Sequence, residues 1–188
     1  MEFDANIMTE VRQNWQMFTG AMSEDMISKI ISAAGDTEKA STFNNGGNDV
    51  RSSRVSWLNG NQFVLDELYR FVFAANSQAF HTNIYKKADV QFTEYHAIEG
   101  GHYSWHHDVD WNRCDGMDRK LSVTVQLSSS YEYEGGNFSF GEVESPDERS
   151  REKGTVLVFP SYLQHAVSPV TQGVRRSLVA WFEGPPWQ

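Results

Sequence analysis

The stretch Gly101-His102-Tyr103-Ser104-Trp105-His106-His107-Asp108-Val109-Asp110 gathers imidazoles and carboxylates at short spacing. On a strand, residues two apart share a face. His106 and Asp108 then project together, and His107 points away. An imidazole and a carboxylate so placed are two of the three ligands of a facial site, which leaves open positions on a ferrous ion. Zinc is the rival, although structural zinc is usually four-coordinate and favours cysteine. This chain has a single cysteine, Cys114. His-x-Asp alone is a weak signal, because a surface histidine beside a solvated acid gives the same pattern. Asp110, His102 and His107 are read as such bystanders.

A second histidine, His165, follows the apolar run Thr155-Val156-Leu157-Val158-Phe159 and the turn Pro160-Ser161. Arg175 comes ten residues later, on what reads as the neighbouring strand. A planar guanidinium pairs bidentately with a carboxylate, as a dicarboxylate co-substrate held beyond a metal would require. Ser177 shares the face of Arg175 and can add a hydroxyl. Arg176 faces the other way.

These residues need a scaffold, and the hydrophobic period supplies one. Ser23 suits the N-cap of a helix burying Met26, Ile27, Ile30, Ile31 and Ala34, with Gly35 ending it. A second helix starts near Asn61 and places Val64, Leu65, Leu68, Tyr69, Val72 and Ala75 on one face. From Phe80 onward the period is two. Strands are expected near Ala79–Tyr85, Asp89–Tyr95, Tyr103–Val109, Lys120–Ser128, Asn137–Phe140, Thr155–Phe159, His165–Pro169 and Arg175–Phe182. Eight short strands after two helices predict a mostly β double-stranded β-helix, or jelly roll, with the helices packed on one sheet. In Lys120–Ser128, Leu121, Val123, Val125 and Leu127 alternate with Ser122, Thr124 and Gln126. The polar face meets either solvent or an internal cavity, and alternation alone leaves both open.

The chain has 188 residues, enough for one domain with a sizeable core. The expectation is one domain over 1–188, with helical support to about residue 80 and the β core over about 80–183. The net charge of −9 disfavours nucleic acid. The densest basic stretch, Arg149 to Lys153, is interleaved with acids and reads as a solvated loop. The lone cysteine excludes an intrachain disulfide. The N-terminal MEFDANIMTE is acidic without an apolar run, unlike a signal peptide. No run approaches a membrane span. The expected location is the cytoplasm, the host's if the chain is phage-encoded.

Tyr95, Gly101, Tyr103, His106-His107-Asp108, Gly135-Gly136, Pro160-Ser161, His165, Pro169-Val170-Thr171-Gln172-Gly173, Arg175 and Trp181 stand in a recognisable order. With that set, about residues 90–183 resemble the prolyl 4-hydroxylase-type (PKHD-like) branch of the 2-oxoglutarate/Fe(II)-dependent dioxygenases, including small bacterial and phage members. Arg54-x-Ser56-Trp57-Leu58 resembles phage-type members less specifically. The resemblance implies Fe(II) on His106, Asp108 and His165. It implies 2-oxoglutarate with its distal carboxylate on Arg175 and Ser177, and Tyr95 beside the co-substrate. It tips the polar face of the Lys120–Ser128 strand inward, with Ser122 and Thr124 on the pocket wall. Family members often carry a hydroxyl at the position of Gln126, so that contact is altered here. Trp181 is placed at the mouth or in the core.

The implied reaction uses O2 and converts 2-oxoglutarate to succinate and CO2 while hydroxylating a C–H bond. L-ascorbate would act as reductant, and a peptidyl or free proline would be the substrate. Asp108 argues against the halogenases of the superfamily, which replace this carboxylate with a small residue. Nucleic-acid demethylases with the same triad carry a second arginine six residues after the first, where this chain has Trp181. The alternatives are another substrate class, such as a free amino acid or other small molecule, or a non-catalytic jelly-roll module that binds a metal or ligand. The loops Asp36–Asp49, Trp111–Arg119 and Glu142–Lys153 are expected to flank the mouth.

Overall fold

The computed structural model describes residues 12–40 and 50–187. In chain order the elements are β1 (Gln16–Phe18), α1 (Glu24–Ala34), β2 (Glu38–Lys39), β3 (Arg51–Ser52), β4 (Arg54–Trp57), α2 (Gln62–Ala75), β5 (Ala88–His96), β6 (His102–His106), β7 (Asp118–Gln126), β8 (Tyr133–Gly135), β9 (Phe138–Phe140), β10 (Val156–Pro160), β11 (His165–Val167) and β12 (Val170–Gly184). They form two antiparallel sheets. The larger runs β1-β10-β7-β12-β5-β4-β2, with β8 paired to the start of β12. The smaller runs β3-β6-β11-β9.

Ser23 caps α1 as its sequence predicts, its Oγ accepting from Met26 N at 3.3 Å. Ile27, Ile30 and Ala34 are buried. Ile31 is an exception to the expected face and is 38% exposed. In α2, Val64, Leu68, Phe71, Val72 and Ala75 are buried. Both helices pack on one side of the large sheet, against Val90, Phe92, Leu121, Val123, Val125, Val156, Val158, Leu178, Ala180 and Phe182. Burying each large aliphatic chain here stabilises the fold by about 1.5–3 kcal/mol.

The period of two then dictates the other face. Gln91, Thr93 and Tyr95 of β5, Ser122, Thr124 and Gln126 of β7, and Arg175, Ser177, Val179 and Trp181 of β12 turn toward the small sheet. The polar face of β7 is therefore internal.

Three expectations about the scaffold need correction. The strand expected at Ala79–Tyr85 is absent. Instead α2 runs into a π-helical turn, Asn76–Phe80, which ends at His81 with φ +49°. The Asn76 side chain holds the reversal, its Nδ2 donating to Thr82 O and its Oδ1 accepting from Thr82 N, both at 2.9 Å. The apolar residues that suggested a strand, Phe80 and Ile84, pack on the helical core instead. The basic stretch is also not merely solvated: Arg151 Nη1 donates to Gly135 O at 2.7 Å and stacks on Tyr133. The expected loop Asp36–Asp49 includes β2, and its residues 41–49 lie outside the described part. Among the described residues no helix is long and apolar enough to cross a membrane.

Candidate active site

The cavity that matters lies between the two sheets. It is lined by Arg51, Tyr103, His106, Phe138, His165 and Val167 from the small sheet and Gln91, Tyr95, Thr124, Phe159, Arg175, Ser177, Val179 and Trp181 from the large one, together with Asp108. Strand β6 ends at His106, so Asp108 lies just past it. A backbone bond from Asp108 N to Ser161 O at 3.0 Å holds it there. β11 pairs with β6 so that His165 stands directly opposite His106.

One potential ligand atom from each of His106, Asp108 and His165 lies within 4.8 Å of the others. His106 Nε2 is 3.7 Å from Asp108 Oδ1, and His165 Nε2 is 3.4 Å from Asp108 Oδ2. Two bonds of about 2.1 Å bridge donors up to roughly 4.2 Å apart, which both imidazole–carboxylate separations satisfy.

The histidine tautomers suit a metal too. His106 Nδ1 donates to Ser104 O at 2.8 Å and His165 Nδ1 to Leu163 O at 2.9 Å. Each Nε2 lone pair is thereby left for the ion. Burial, aided by the nearby His165, pushes His106 down to about 4, so its imidazole is neutral at pH 7, the form that ligates. Burial works against the Asp108 charge. His165, His106 and the hydroxyl of Ser122 outweigh it and hold the carboxyl below its usual range. Tyr103 lies flat on the His106 ring, 3.5 Å between centroids, and burial raises its phenol.

Arg175 is 5% exposed. Among the described residues its guanidinium has no hydrogen-bonding or ion-pair partner, only the Tyr95 ring at 5.6 Å. Gly136, at φ +61°, leaves the room this side chain needs, since a Cβ there would sit 2.9 Å from Arg175 Cδ. Arg176 faces away and pairs with Glu94 at 2.9 Å.

Of the residues singled out from the sequence, Tyr95, Thr124, Ser177 and Trp181 line the cavity beside the triad and Arg175. Ser122 and Gln126 do not. The Ser122 hydroxyl donates to Asp108 Oδ2 at 2.7 Å. Gln126 Nε2 donates to Ser128 O at 3.0 Å and Tyr133 Oη at 3.1 Å, while its buried Oε1 has no partner among the described residues. His107 Nδ1 donates to Tyr162 O and His102 Nδ1 to Gly100 O, both at 2.7 Å.

Sequence reasoning missed Arg51 and Gln91. No sequence signal pointed to them: β3 is two residues long, and Arg51 stands opposite Tyr103 only through strand pairing. Of the loops expected at the mouth, Trp111–Arg119 is tied back by Arg113, which bonds Asp115 at 2.7 Å and Glu183 at 2.6 Å.

Residues 90–183, half the chain, match the 2OG-Fe(II) oxygenase superfamily. The chain belongs to this superfamily. A PKHD-type hydroxylase of Synechococcus sp. (strain CC9902) is 34% identical over 84 residues, which are 45% of this chain and 37% of that protein. The chain spans about two fifths of the length of the curated relatives it matches. A crystal structure of a Pseudomonas putida prolyl-4-hydroxylase superposes with a TM-score of 0.69 at 21% identity, covering 90% of this chain and 92% of that one. The viral collagen prolyl hydroxylase of Paramecium bursaria Chlorella virus-1, solved with 2OG, gives 0.64 at 22% identity over 92% and 97%. These likenesses establish the oxygenase fold, a mostly β double-stranded β-helix of two antiparallel sheets. His106, Asp108 and His165 form a His-x-Asp and distant-histidine triad within the matched residues.

Proposed function

We propose that this superfamily member is a 2-oxoglutarate-dependent hydroxylase, with His106, Asp108 and His165 holding Fe(II) and Arg175 holding the distal carboxylate of 2-oxoglutarate. The observation that carries the reading is the buried, unpaired guanidinium of Arg175 in the same cavity as the triad. A buried cation without a counter-charge is costly, and a carboxylate ligand removes that cost. Ser177, on the same face, adds a hydroxyl. Bound at the triad, Fe(II) would supply the activation of O2 that couples decarboxylation of 2-oxoglutarate, to succinate and CO2, with hydroxylation of a C–H bond.

The chain's own residues bind and orient. Ser104 O and Leu163 O fix both imidazoles, Ser122 fixes Asp108, and Phe138, Phe159 and Val179 keep water from the reacting centre. A prolyl substrate, peptidyl or free, is the proposed target, in keeping with the prolyl-4-hydroxylase whose fold it shares. Purified protein with Fe(II) and ascorbate is expected to convert 2-oxoglutarate to succinate. A screen of proline-containing peptides and free amino acids is expected to yield a product heavier by one oxygen atom, and Asp108→Ala to abolish it. Full hydroxylation by Asp108→Ala would overturn the ligand assignment.

A further inference from the structure

The cavity holds a second cation that this reading does not use. Arg51 reaches in from β3 and is fixed by two buried polar side chains. Its Nε donates to Ser53 Oγ at 2.7 Å and its Nη2 to Gln91 Oε1 at 2.8 Å. Its guanidinium lies 4.6 Å from the centroid of the Tyr103 ring. Ser53 is 5% exposed and Gln91 3%. Among the described residues no carboxylate lies within ion-pairing distance of Arg51. Of the five N–H donors of a guanidinium, three are left over.

One neighbour is also a donor in want of an acceptor. Gln91 Oε1 is taken by Arg51 and by Thr93 Oγ1 at 3.3 Å, and its amide nitrogen has no partner among the described residues. Trp181 lines the same cavity, but its Nε1 is closed off and its ring is covered by the Arg119 guanidinium at 4.1 Å.

This cluster is distinct from the Arg175 end. Tyr95 pairs with Arg175 and Gln91 with Val179. The two rows are four residues apart, roughly 13 Å at about 3.3 Å per residue. The Cα rows that carry Arg175 and Gln91 are thus separate, which leaves the Gln91 end for a second ligand.

We infer that Arg51 and Gln91 receive a carboxylate of the primary substrate, which makes that substrate a free amino acid or a related small carboxylate. The inference deepens the hydroxylase reading and rests on it. A neutral peptide carbonyl would accept from the same donors but would leave the Arg51 charge uncompensated. A carboxylate satisfies both charge and fork geometry. A chain-terminal residue of a peptide presents the same group, so the test separates the two.

The probes are the common L-amino acids, the carboxamide of each, and glycyl dipeptides ending in each. Binding is followed by tryptophan fluorescence on wild-type protein loaded with Mn(II) and 2-oxoglutarate without oxygen. At least one free acid is expected to bind tenfold or more tighter than its amide and tighter than its dipeptide. Arg51→Met is expected to erase the preference for acid over amide, and Arg51→Lys to keep part of it. Absence of any acid-over-amide preference in the wild type, including absence of binding, overturns the inference, as does its survival in Arg51→Met. A dipeptide that outcompetes the free acid moves the site to a peptide terminus and overturns the small-molecule assignment. If 2-oxoglutarate itself fails to bind the Mn(II) protein, the hydroxylase reading falls instead.

Discussion

Ser122 Oγ lies 2.7 Å from Asp108 Oδ2 and 2.9 Å from Ser161 Oγ, and both serines are fully shielded from solvent. The hydroxyl fixes which carboxylate oxygen remains for a metal. Ser122→Ala is therefore expected to weaken Fe(II) or Mn(II) affinity by about 10- to 100-fold. Metal titration of the purified variant checks this. Wild-type affinity would show that the Asp108 rotamer is held by the backbone alone.

Arg175 supplies a prediction in which stability and binding part company. Arg175→Met removes a buried charge that has no partner in the ligand-free protein, so the Tm of that protein is expected to hold or rise. Wild-type protein gains about 2.7 kcal/mol from a ligand at a hundredfold excess over Kd. The variant is expected to lose this gain with 2-oxoglutarate. Thermal melts with and without the co-substrate test both halves, and a large fall in Tm without ligand contradicts the first.

Glu94 gives the pH dependence. Burial raises its carboxyl, but His96, Arg176 and Thr37 hydrogen-bond the charged form and hold it below the ordinary 4.5. A carboxyl lowered by folding stabilises above the unfolded value, and that contribution is lost as pH falls through the folded value. Glu94→Gln is expected to cost about 1–2 kcal/mol at pH 7 and progressively less below pH 4.5. Denaturant melts across pH check it. A constant difference down to pH 3 would contradict the sign.

Gly101 marks where β5 and β6 press together. A Cβ there would meet His96 N at 2.6 Å and the Tyr95 carbonyl carbon at 2.7 Å. Because both obstacles are backbone, Gly101→Ala must move β6, and with it His106. A loss of about 1–3 kcal/mol together with weakened metal binding is expected. Stability lost without any change in metal affinity would mean that β6 yields only at its start.

His106 and Asp108 could be read as a pair because they stand two apart on a strand, whereas His165, at the start of β11, joined them through the family resemblance. Arg175 could be read because alternation places it with Ser177. Arg51 could not. It stands on a two-residue strand, too short for a period, and its partner Gln91 is forty residues away. Ser122 was assigned to the right face but not to its task, since reach toward Asp108 depends on a bend after β6 that spacing does not encode. The turn after α2 was read as a strand because Phe80, Thr82 and Ile84 alternate, while the side-chain bonds of Asn76 that reverse the chain leave no mark on hydrophobicity.

β12 runs fifteen residues and borders three other strands. It sets Arg175, Ser177, Val179 and Trp181 on one side and Leu178, Ala180 and Phe182 on the other. Lengthening it by a single residue near its start would rotate the downstream set by half a turn and exchange ligand-facing groups with helix-facing ones. New specificities in this scaffold must therefore arise by replacing side chains along β12, or by lengthening the loops beyond it, and not by changing the length of the strand itself.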